Sequence, residues 1–210
     1  TYLIDNSDFV ACHKSNYMEL YDVLKGIKEG GTFLLNSPWS VKDMEKNIPG
    51  DLRKTIYDKK LKFYNIDAVK IASEVGLGGR INMIMQTCFF SLANVLPVEK
   101  AIKLLKEDIT AKFGKKGEKI VSMNMEAVDK TLENLVKIKV PAAWKKGERQ
   151  DKTVEKTTAF VDNVMRKINA QGGDDLPVSV FSPGGVFEQA TSQYEKRGVA
   201  IDVPEWIAQN

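Results

Sequence analysis

Apolar strand-like runs alternate with helical segments over the first 75 residues, and this alternation constrains the fold more than any other feature. Three β-prone runs occur at residues 8–13 (DFVACH), 31–36 (GTFLLN) and 61–67 (LKFYNID). Between them, residues 16–30 and 41–60 have the apolar periodicity of helices. Strands joined by helical crossovers run parallel, with helices on the faces of the sheet. We therefore expect an α/β, Rossmann-like domain with three layers.

The chain becomes helical in pattern from Asp67 to about Val140. Two segments, residues 97–114 and 118–138, show the clearest stripes of apolar residues. The predicted core residues of these segments are Ala101, Leu104, Leu105, Ile109, Ile120, Met123, Val128, Leu132 and Leu135. We interpret the clustered methionines as packing residues. A helical C-terminal half should therefore follow the parallel strands.

The composition changes after Val140, which predicts a domain of residues 1–140 and a connector of residues 141–210. Residues 140–153 (VPAAWKKGERQDKT) have the polar composition of a linker, and residues 154–168 have the pattern of one more helix. The following residues are rich in glycine, proline and small polar side chains, so they cannot form a core of their own. We expect this tail to run extended over other domains, anchored by Phe181, Phe187, Tyr194 and Trp206.

The composition limits the possible classes of function. The chain is 43% hydrophobic, yet it contains no apolar run of the roughly 20 residues that span a membrane. A net charge of +3, from 31 basic and 28 acidic residues, is too balanced to indicate nucleic-acid binding, so we expect neither membrane nor nucleic acid as a partner. The cytoplasm is the expected location. Because the chain opens on Thr1 inside an apolar stretch, we interpret it as a fragment.

Few residues offer chemistry of their own, and we predict no catalytic and no metal-binding residue. His13 is the single histidine, and it follows Cys12 on a predicted strand, where neighbouring side chains point to opposite faces. A catalytic Cys–His pair is therefore disfavoured. Cys12 and Cys88 lie in apolar surroundings, which favours buried thiols over a disulfide. Any ligand site is expected at the carboxyl ends of the strands, at residues 12–14, 36–39 and 65–67.

A glycine-rich turn precedes an apolar helix at residues 76–90 (GLGGRINMIMQTCFF). Such a turn leaves free N–H groups at the positive end of the helix, where an anion can bind. Arg80 is then either a phosphate ligand or a salt-bridge partner of a neighbouring helix. Asn82 either binds the same ligand or braces the turn.

Several blocks of sequence, taken in order, resemble one enzyme family. They are DFVACH, GIKEGGTFLLNSPW, GLGGRINMIMQTCFF, LPVEKAI, FGKKGEKIVSMNMEAVD and TSQYEKRGVAIDVPEW. Their order is similar to that in pyruvate:ferredoxin (flavodoxin) oxidoreductases. The resemblance is to the middle of that long chain: the domain equivalent to the gamma subunit of multi-subunit 2-oxoacid:ferredoxin oxidoreductases, and the connector to the iron-sulfur domain.

The resemblance implies that the enzyme converts pyruvate and coenzyme A to acetyl-CoA and CO2. Thiamine diphosphate, Mg²⁺ and 4Fe-4S clusters would lie in other domains of the same polypeptide, with ferredoxin or flavodoxin as electron acceptor and a homodimer as the assembly. This domain would help to bind coenzyme A through Gly79, Arg80 and Asn82. A glycine-rich loop of the family and its lysine pair would precede residue 1. The alternative is a scaffold between the thiamine and iron-sulfur domains.

Overall fold

The computed structural model describes residues 4–148, 156–195 and 204–207. The chain divides into two compact units, residues 1–151 and 152–210. In the first unit the strands are β1 (Ser7–Cys12), β2 (Ile27–Asn36), β3 (Lys62–Ile66) and β4 (Val136–Lys137). Its α-helices are α1 (Tyr17–Leu20), α2 (Val41–Asn47), α3 (Gly50–Asp58), α4 (Ala68–Glu74), α5 (Asn82–Leu92), α6 (Val98–Phe113) and α7 (Glu118–Asn134).

The four strands form one sheet in the order β1-β2-β3-β4. β1 pairs with β2 and β2 with β3 in parallel, so that Phe33 lies opposite both Val10 and Phe63. β4 adds an antiparallel edge of two residues, with Lys137 opposite Tyr64. The α/β class and the three expected strands are confirmed, whereas the sequence reading did not include β4.

Hydrophobic cores cover both faces of the sheet. On one face Phe33 and Phe63 stack with ring centroids 5.3 Å apart, and α2 and α3 pack over them through buried residues such as Leu52. On the other face Leu34 and Ile66 pack with buried residues of α4, α5 and α7. Successive residues of β2 therefore face different cores, as the pleat of a strand requires. The expected three-layer arrangement is confirmed.

The helix predicted over residues 16–30 is wrong for most of its length. Only α1 is helical, and the chain becomes extended at Tyr21. β2 then begins at Ile27, because Gly26 turns the chain with a φ of +78°. A Cβ at Gly26 would overlap the carbonyl oxygen of Asp5, so glycine is required there on two counts. The apolar residues Leu24 and Ile27 are buried, but from a turn and a strand rather than from a helix.

The predicted stripes on α6 and α7 are correct in part. Ala101, Leu105, Ile109 and Val128 are buried, and Ile120, Met123 and Leu135 are half-buried. Leu104 and Leu132 are 46% and 41% exposed, so their assignment to the core is wrong. On α7 the buried face includes Thr131 instead, whose hydroxyl donates to the carbonyl of Ala127 at 2.6 Å. This bond satisfies the polar group within its own helix and allows a threonine to occupy a core position.

Part of the expected linker is packed into the first unit. Residues Ala142–Lys146 form a short 3-10 helix, and Trp144 is fully buried with its ring centroid 6.0 Å from that of Phe63. Trp144 thus packs within the first compact unit, residues 1–151, and the domain division expected after residue 140 stays a prediction.

Near the start of the described residues of the second unit, the backbone N–H and the hydroxyl of Thr157 donate to the carboxylate of Asp162 at 3.2 and 2.7 Å. These bonds lower the pKa of Asp162. A π-helical segment, Val161–Met165, leads into α8 (Arg166–Asn169). Short 3-10 turns follow between Gly173 and Tyr194.

Of the expected anchors in the tail, Phe181 is half-buried and Phe187, Tyr194 and Trp206 are exposed. Their packing against other domains stays a prediction, and residues 196–203 and 208–210 of the tail lie outside the described residues. In the part of the chain that the structure describes, no helix has the length and apolar character needed to cross a membrane.

Candidate functional site

The carboxyl ends of the three parallel strands meet around a cleft of about 530 Å³. Its lining residues are His13, Lys14, Ser15 and Asn16 after β1, Asn36, Ser37 and Pro38 at the end of β2, and Asp67, Val69, Lys70 and Ser73 after β3. All three strand ends that the sequence reading assigned to a ligand site therefore contribute to it. In open α/β sheets this edge is where ligands bind, because the connections diverge there.

Asn36 joins three elements beneath the cleft. Its side-chain amide donates to the carbonyl of His13 at 2.9 Å, and its oxygen accepts from the backbone N–H of Ala68 at 2.9 Å. Asn36 is 6% exposed, so its side chain makes both bonds from a buried position. One side chain thus fixes the end of β1 relative to the start of α4, and no local sequence pattern indicates this bridging role.

Ser37 and Asn65 form a second buried polar pair at the same edge. The hydroxyl of Ser37 donates to the side-chain oxygen of Asn65 at 2.8 Å, and the amide of Asn65 donates to the carbonyl of Ser37 at 3.0 Å. The ends of β2 and β3 are therefore held together by side chains as well as by the ladder.

Cationic and titratable side chains surround this rigid floor. Lys14, His13 and Lys70 are exposed on the lining, and none forms an ion pair or side-chain hydrogen bond within the described residues. Asp67 is the acidic residue of the lining, and its carboxylate accepts the backbone N–H of Lys70 at 3.0 Å as the N-cap of α4. The sequence reading did not include Lys70, although its place three residues after Asp67 follows from an N-capped helix start.

A smaller cavity of about 270 Å³ lies beside the cleft and shares Ser37, Pro38, Asp67 and Lys70 with it. Trp39 and Asn134 contribute to its walls, as does Glu74. Glu74 is paired with Lys130 at 3.4 Å, so this carboxylate is partly neutralised.

The structure separates Cys12 from His13. Cys12 is buried in the core beneath the sheet, where its thiol donates to the carbonyl of Lys14 at 3.0 Å, while His13 is exposed at the cleft. Burial raises the pKa of Cys12 to about 11 and that of Cys88 to about 12. Both cysteines are free, and they belong to cores on different faces of the sheet. The expectation of buried thiols is confirmed.

The glycine-rich turn before α5 is open to solvent. Gly76 and Gly78 adopt φ values of +79° and +61°, and a Cβ at Gly78 or Gly79 would meet no atom within 4 Å. Arg80 is exposed and forms no ion pair with any described residue, so the salt bridge considered for it is absent from the described part of the chain. Asn82, the first residue of α5, is also exposed.

The start of α5 offers backbone donors without a capping side chain. Ile81 occupies the N-cap position and cannot accept a hydrogen bond through its side chain, and no acidic residue lies in the first turn. The first N–H groups of a helix have no intrahelical acceptor, so they could donate hydrogen bonds to an anion that lies beside Arg80.

The structure does not bring this turn together with the cleft. Asp67 and Lys70 lie at the beginning of α4, whereas Gly79, Arg80 and Asn82 follow its end, and none of these three lines either cavity. A helix of seven residues is about 10 Å long, which sets the scale of the distance between the first turn of α4 and Arg80. Within residues 4–148, 156–195 and 204–207, no three His, Cys, Asp or Glu side chains form a group able to hold a metal ion.

Comparison with known proteins identifies the family. A family model described as pyruvate ferredoxin/flavodoxin oxidoreductase matches residues 1–134, and a model described as a domain of unknown function matches residues 146–200. Over its whole length the chain is 54% identical to the pyruvate:ferredoxin oxidoreductase of Moorella thermoacetica, of which it covers 18%. It is 46% identical over 98% of its length to a pyruvate-flavodoxin oxidoreductase of Enterobacter agglomerans, again covering 18% of the relative.

A further relative is the mitochondrial pyruvate dehydrogenase (NADP+) of Euglena gracilis, which is 46% identical over the whole chain, with 12% of the relative covered. Among solved structures, the pyruvate oxidoreductase subunit PORC of Thermotoga maritima overlaps 63% of this chain and 66% of its own, at 17% identity and a TM-score of 0.49. The chain spans less than a fifth of the length of the curated relatives named here. The match over residues 1–134, which include the parallel strands and the residues that line the cleft, shows that the chain belongs to the pyruvate ferredoxin/flavodoxin oxidoreductase family.

Proposed function

We propose that this chain is one part of an enzyme that oxidises pyruvate, with coenzyme A, to acetyl-CoA and CO2 and passes the electrons to ferredoxin or flavodoxin. The observation that carries the proposal is the family match over residues 1–134, together with relatives named for pyruvate and for these electron carriers. A cytoplasmic location and a homodimeric enzyme belong to the same proposal, as the resemblance implies.

The redox chemistry is assigned to other parts of the polypeptide. Thiamine diphosphate would stabilise the carbanion left by decarboxylation, and 4Fe-4S clusters would carry electrons. A 4Fe-4S cluster takes four cysteine ligands, whereas this chain contains two cysteines, Cys12 and Cys88, which are buried in cores on different faces of the sheet. The isolated chain is therefore expected to reduce no viologen dye in the presence of pyruvate.

The role proposed for this chain is to hold the phosphate groups of coenzyme A at the turn before α5. The guanidinium of Arg80 is exposed and unpaired among the described residues, and a guanidinium binds phosphate oxygens in a bidentate manner. Gly79 leaves the approach open, since no atom lies within 4 Å of its missing Cβ. Asn82 can add a side-chain donor beside the N–H groups of the helix.

The experiment is steady-state kinetics of the full-length enzyme with Arg80→Ala. A phosphate contact far from the reacting thiol binds ground state and transition state alike, so its loss should raise the KM for coenzyme A by roughly ten- to a hundredfold. The KM for pyruvate should be unchanged. Arg80→Lys should restore part of the affinity, because it keeps the charge and loses the planar fork.

A scaffold that joins other domains makes a different forecast for the same variant. If Arg80 only braces the fold, Arg80→Ala should lower the melting temperature and leave the KM for coenzyme A at the wild-type value. That pair of results would contradict the assignment of Arg80 to the phosphate groups.

A further inference from the structure

We infer that the cleft at the carboxyl edge of the sheet is a second anion site, which binds a phosphate group of a small-molecule ligand between Lys14 and Lys70. Lys70 lies in the first turn of α4, whereas Arg80 follows the end of this helix, and Arg80 does not line the cleft. The inference does not rest on the role proposed for Arg80, and either assignment can fail without the other.

The floor of the cleft is preorganised. Asn36 and Ser37 are 6% and 2% exposed, and their hydrogen bonds to His13, Ala68 and Asn65 tie the three strand ends together. Lys14 follows His13 directly, and Lys70 lies in the first turn of α4, so both cations extend from backbone that these bonds hold in place. In a preorganised site of this kind, ligand binding carries only a small cost in conformational entropy.

The balance of charge at the cleft favours an anion. Lys14 and Lys70 both line the cleft, and neither forms an ion pair with a described residue that would neutralise its charge. The carboxylate of Asp67 is engaged as the cap of α4. The two ammonium groups therefore produce a positive potential that a phosphate dianion would neutralise.

The cleft also has room for more than a free ion. Its volume of about 530 Å³ lies within the range of small-molecule pockets. Val69, which is 55% exposed, and Pro38 give it an apolar side. The phosphate is thus expected to belong to an organic molecule, and inorganic diphosphate provides the control for the alternative source.

The test measures binding to the full-length protein with its thiamine sites filled, by titration calorimetry with two probes, inorganic diphosphate and coenzyme A. The variants are Lys14→Gln and Lys70→Gln, alone and combined. The matched control is Lys62→Gln, an exposed lysine at the start of β3 and so at the other edge of the sheet.

We expect the combined variant to weaken the binding of at least one probe by tenfold or more, and Lys62→Gln to leave both affinities within twofold. A larger loss for coenzyme A than for diphosphate identifies an organic phosphate as the ligand, and equal losses identify the phosphate group alone. Raised salt should weaken wild-type binding, because screening reduces the attraction. Unchanged affinities for both probes in the combined variant, or an equal loss in Lys62→Gln, would overturn the inference.

Discussion

Gly50 and Gly147 lie backbone against backbone, and neither position has room for a side chain. A Cβ on Gly147 would overlap the carbonyl oxygen of Gly50, and a Cβ on Gly50 would overlap the carbonyl oxygen of Glu148. The contact holds the start of α3 against the segment that carries Trp144. Two glycines far apart in sequence thus allow the close approach of two backbones.

Gly50→Ala should therefore destabilise the protein. Backbone atoms cannot move aside as a flexible side chain can, so the expected cost is about 2–4 kcal/mol in the free energy of unfolding. Urea denaturation measures it. Gly114→Ala is the matched control, because Gly114 is helical and a Cβ there meets nothing within 4 Å. The prediction fails if both variants unfold at the same urea concentration.

Asn36→Ala should loosen the floor of the cleft. The substitution leaves the buried N–H of Ala68 without a partner, at a cost of about 1–3 kcal/mol, and also removes the partly buried bond to the carbonyl of His13. The exchange of the Ala68 amide with deuterium should also become faster. Asn47→Ala provides the comparison, since exposed Asn47 bonds only to the carbonyl of Asp43 in its own helix. Unchanged protection of Ala68 would contradict the bridging role of Asn36.

Trp144→Ala should cost about 3–5 kcal/mol, because it opens a cavity in a fully buried site beside Phe63. Trp144→Phe should cost much less than this. The indole N–H of Trp144 has no hydrogen-bond partner among the described residues, so the smaller ring loses volume but removes an unsatisfied donor. Trp206→Ala, at a residue that is 87% exposed, should change the free energy of unfolding by less than about 0.5 kcal/mol. Equal destabilisation by Trp144→Phe and Trp144→Ala would show that the donor is satisfied.

The buried thiols predict a loss of stability in alkaline solution. Burial raises the pKa of Cys88 to about 12 from the ordinary value of 9.0 for a thiol, so the unfolded chain releases this proton at a lower pH than the folded chain. Stability from this group is complete below pH 9 and falls above it, by at most about 1.4 kcal/mol per pH unit. Cys88→Ala should make the decline between pH 9 and pH 11 shallower. If the free energy of unfolding depends on pH equally in the wild type and in Cys88→Ala, the thiol of Cys88 is exposed to solvent in the folded protein.

The sequence correctly predicts those elements whose formation depends on residues that are close together in the chain. The three parallel strands and α6 follow from runs of apolar residues and from turn residues at their ends. The helix expected over residues 16–30 failed because the positive φ of Gly26 and its close approach to Asp5 depend on a distant backbone. The burial of Trp144 depends in the same way on Gly50, which is far away in sequence.

The same distinction between local and distant determinants applies to the candidate site. The strand ends could be predicted because parallel strands bring their carboxyl ends to one edge. The bridging role of Asn36 could not, since its partners, His13 and Ala68, are distant in sequence. The glycine-rich turn at Arg80 and the strand ends were each recognisable as possible ligand sites in the sequence. That Arg80 does not line the cleft is visible only in the structure.

The seven residues of α4 therefore set the distance between Lys70, in the first turn of this helix, and Arg80, which follows its end. A compact anion at one end cannot touch the other end, because the helix between them is about 10 Å long. Two small ions should then bind independently, with additive free energies. An elongated ligand that reaches both ends would instead make the effects of Lys70→Gln and Arg80→Ala non-additive, so a double-mutant cycle would measure whether one molecule spans the helix.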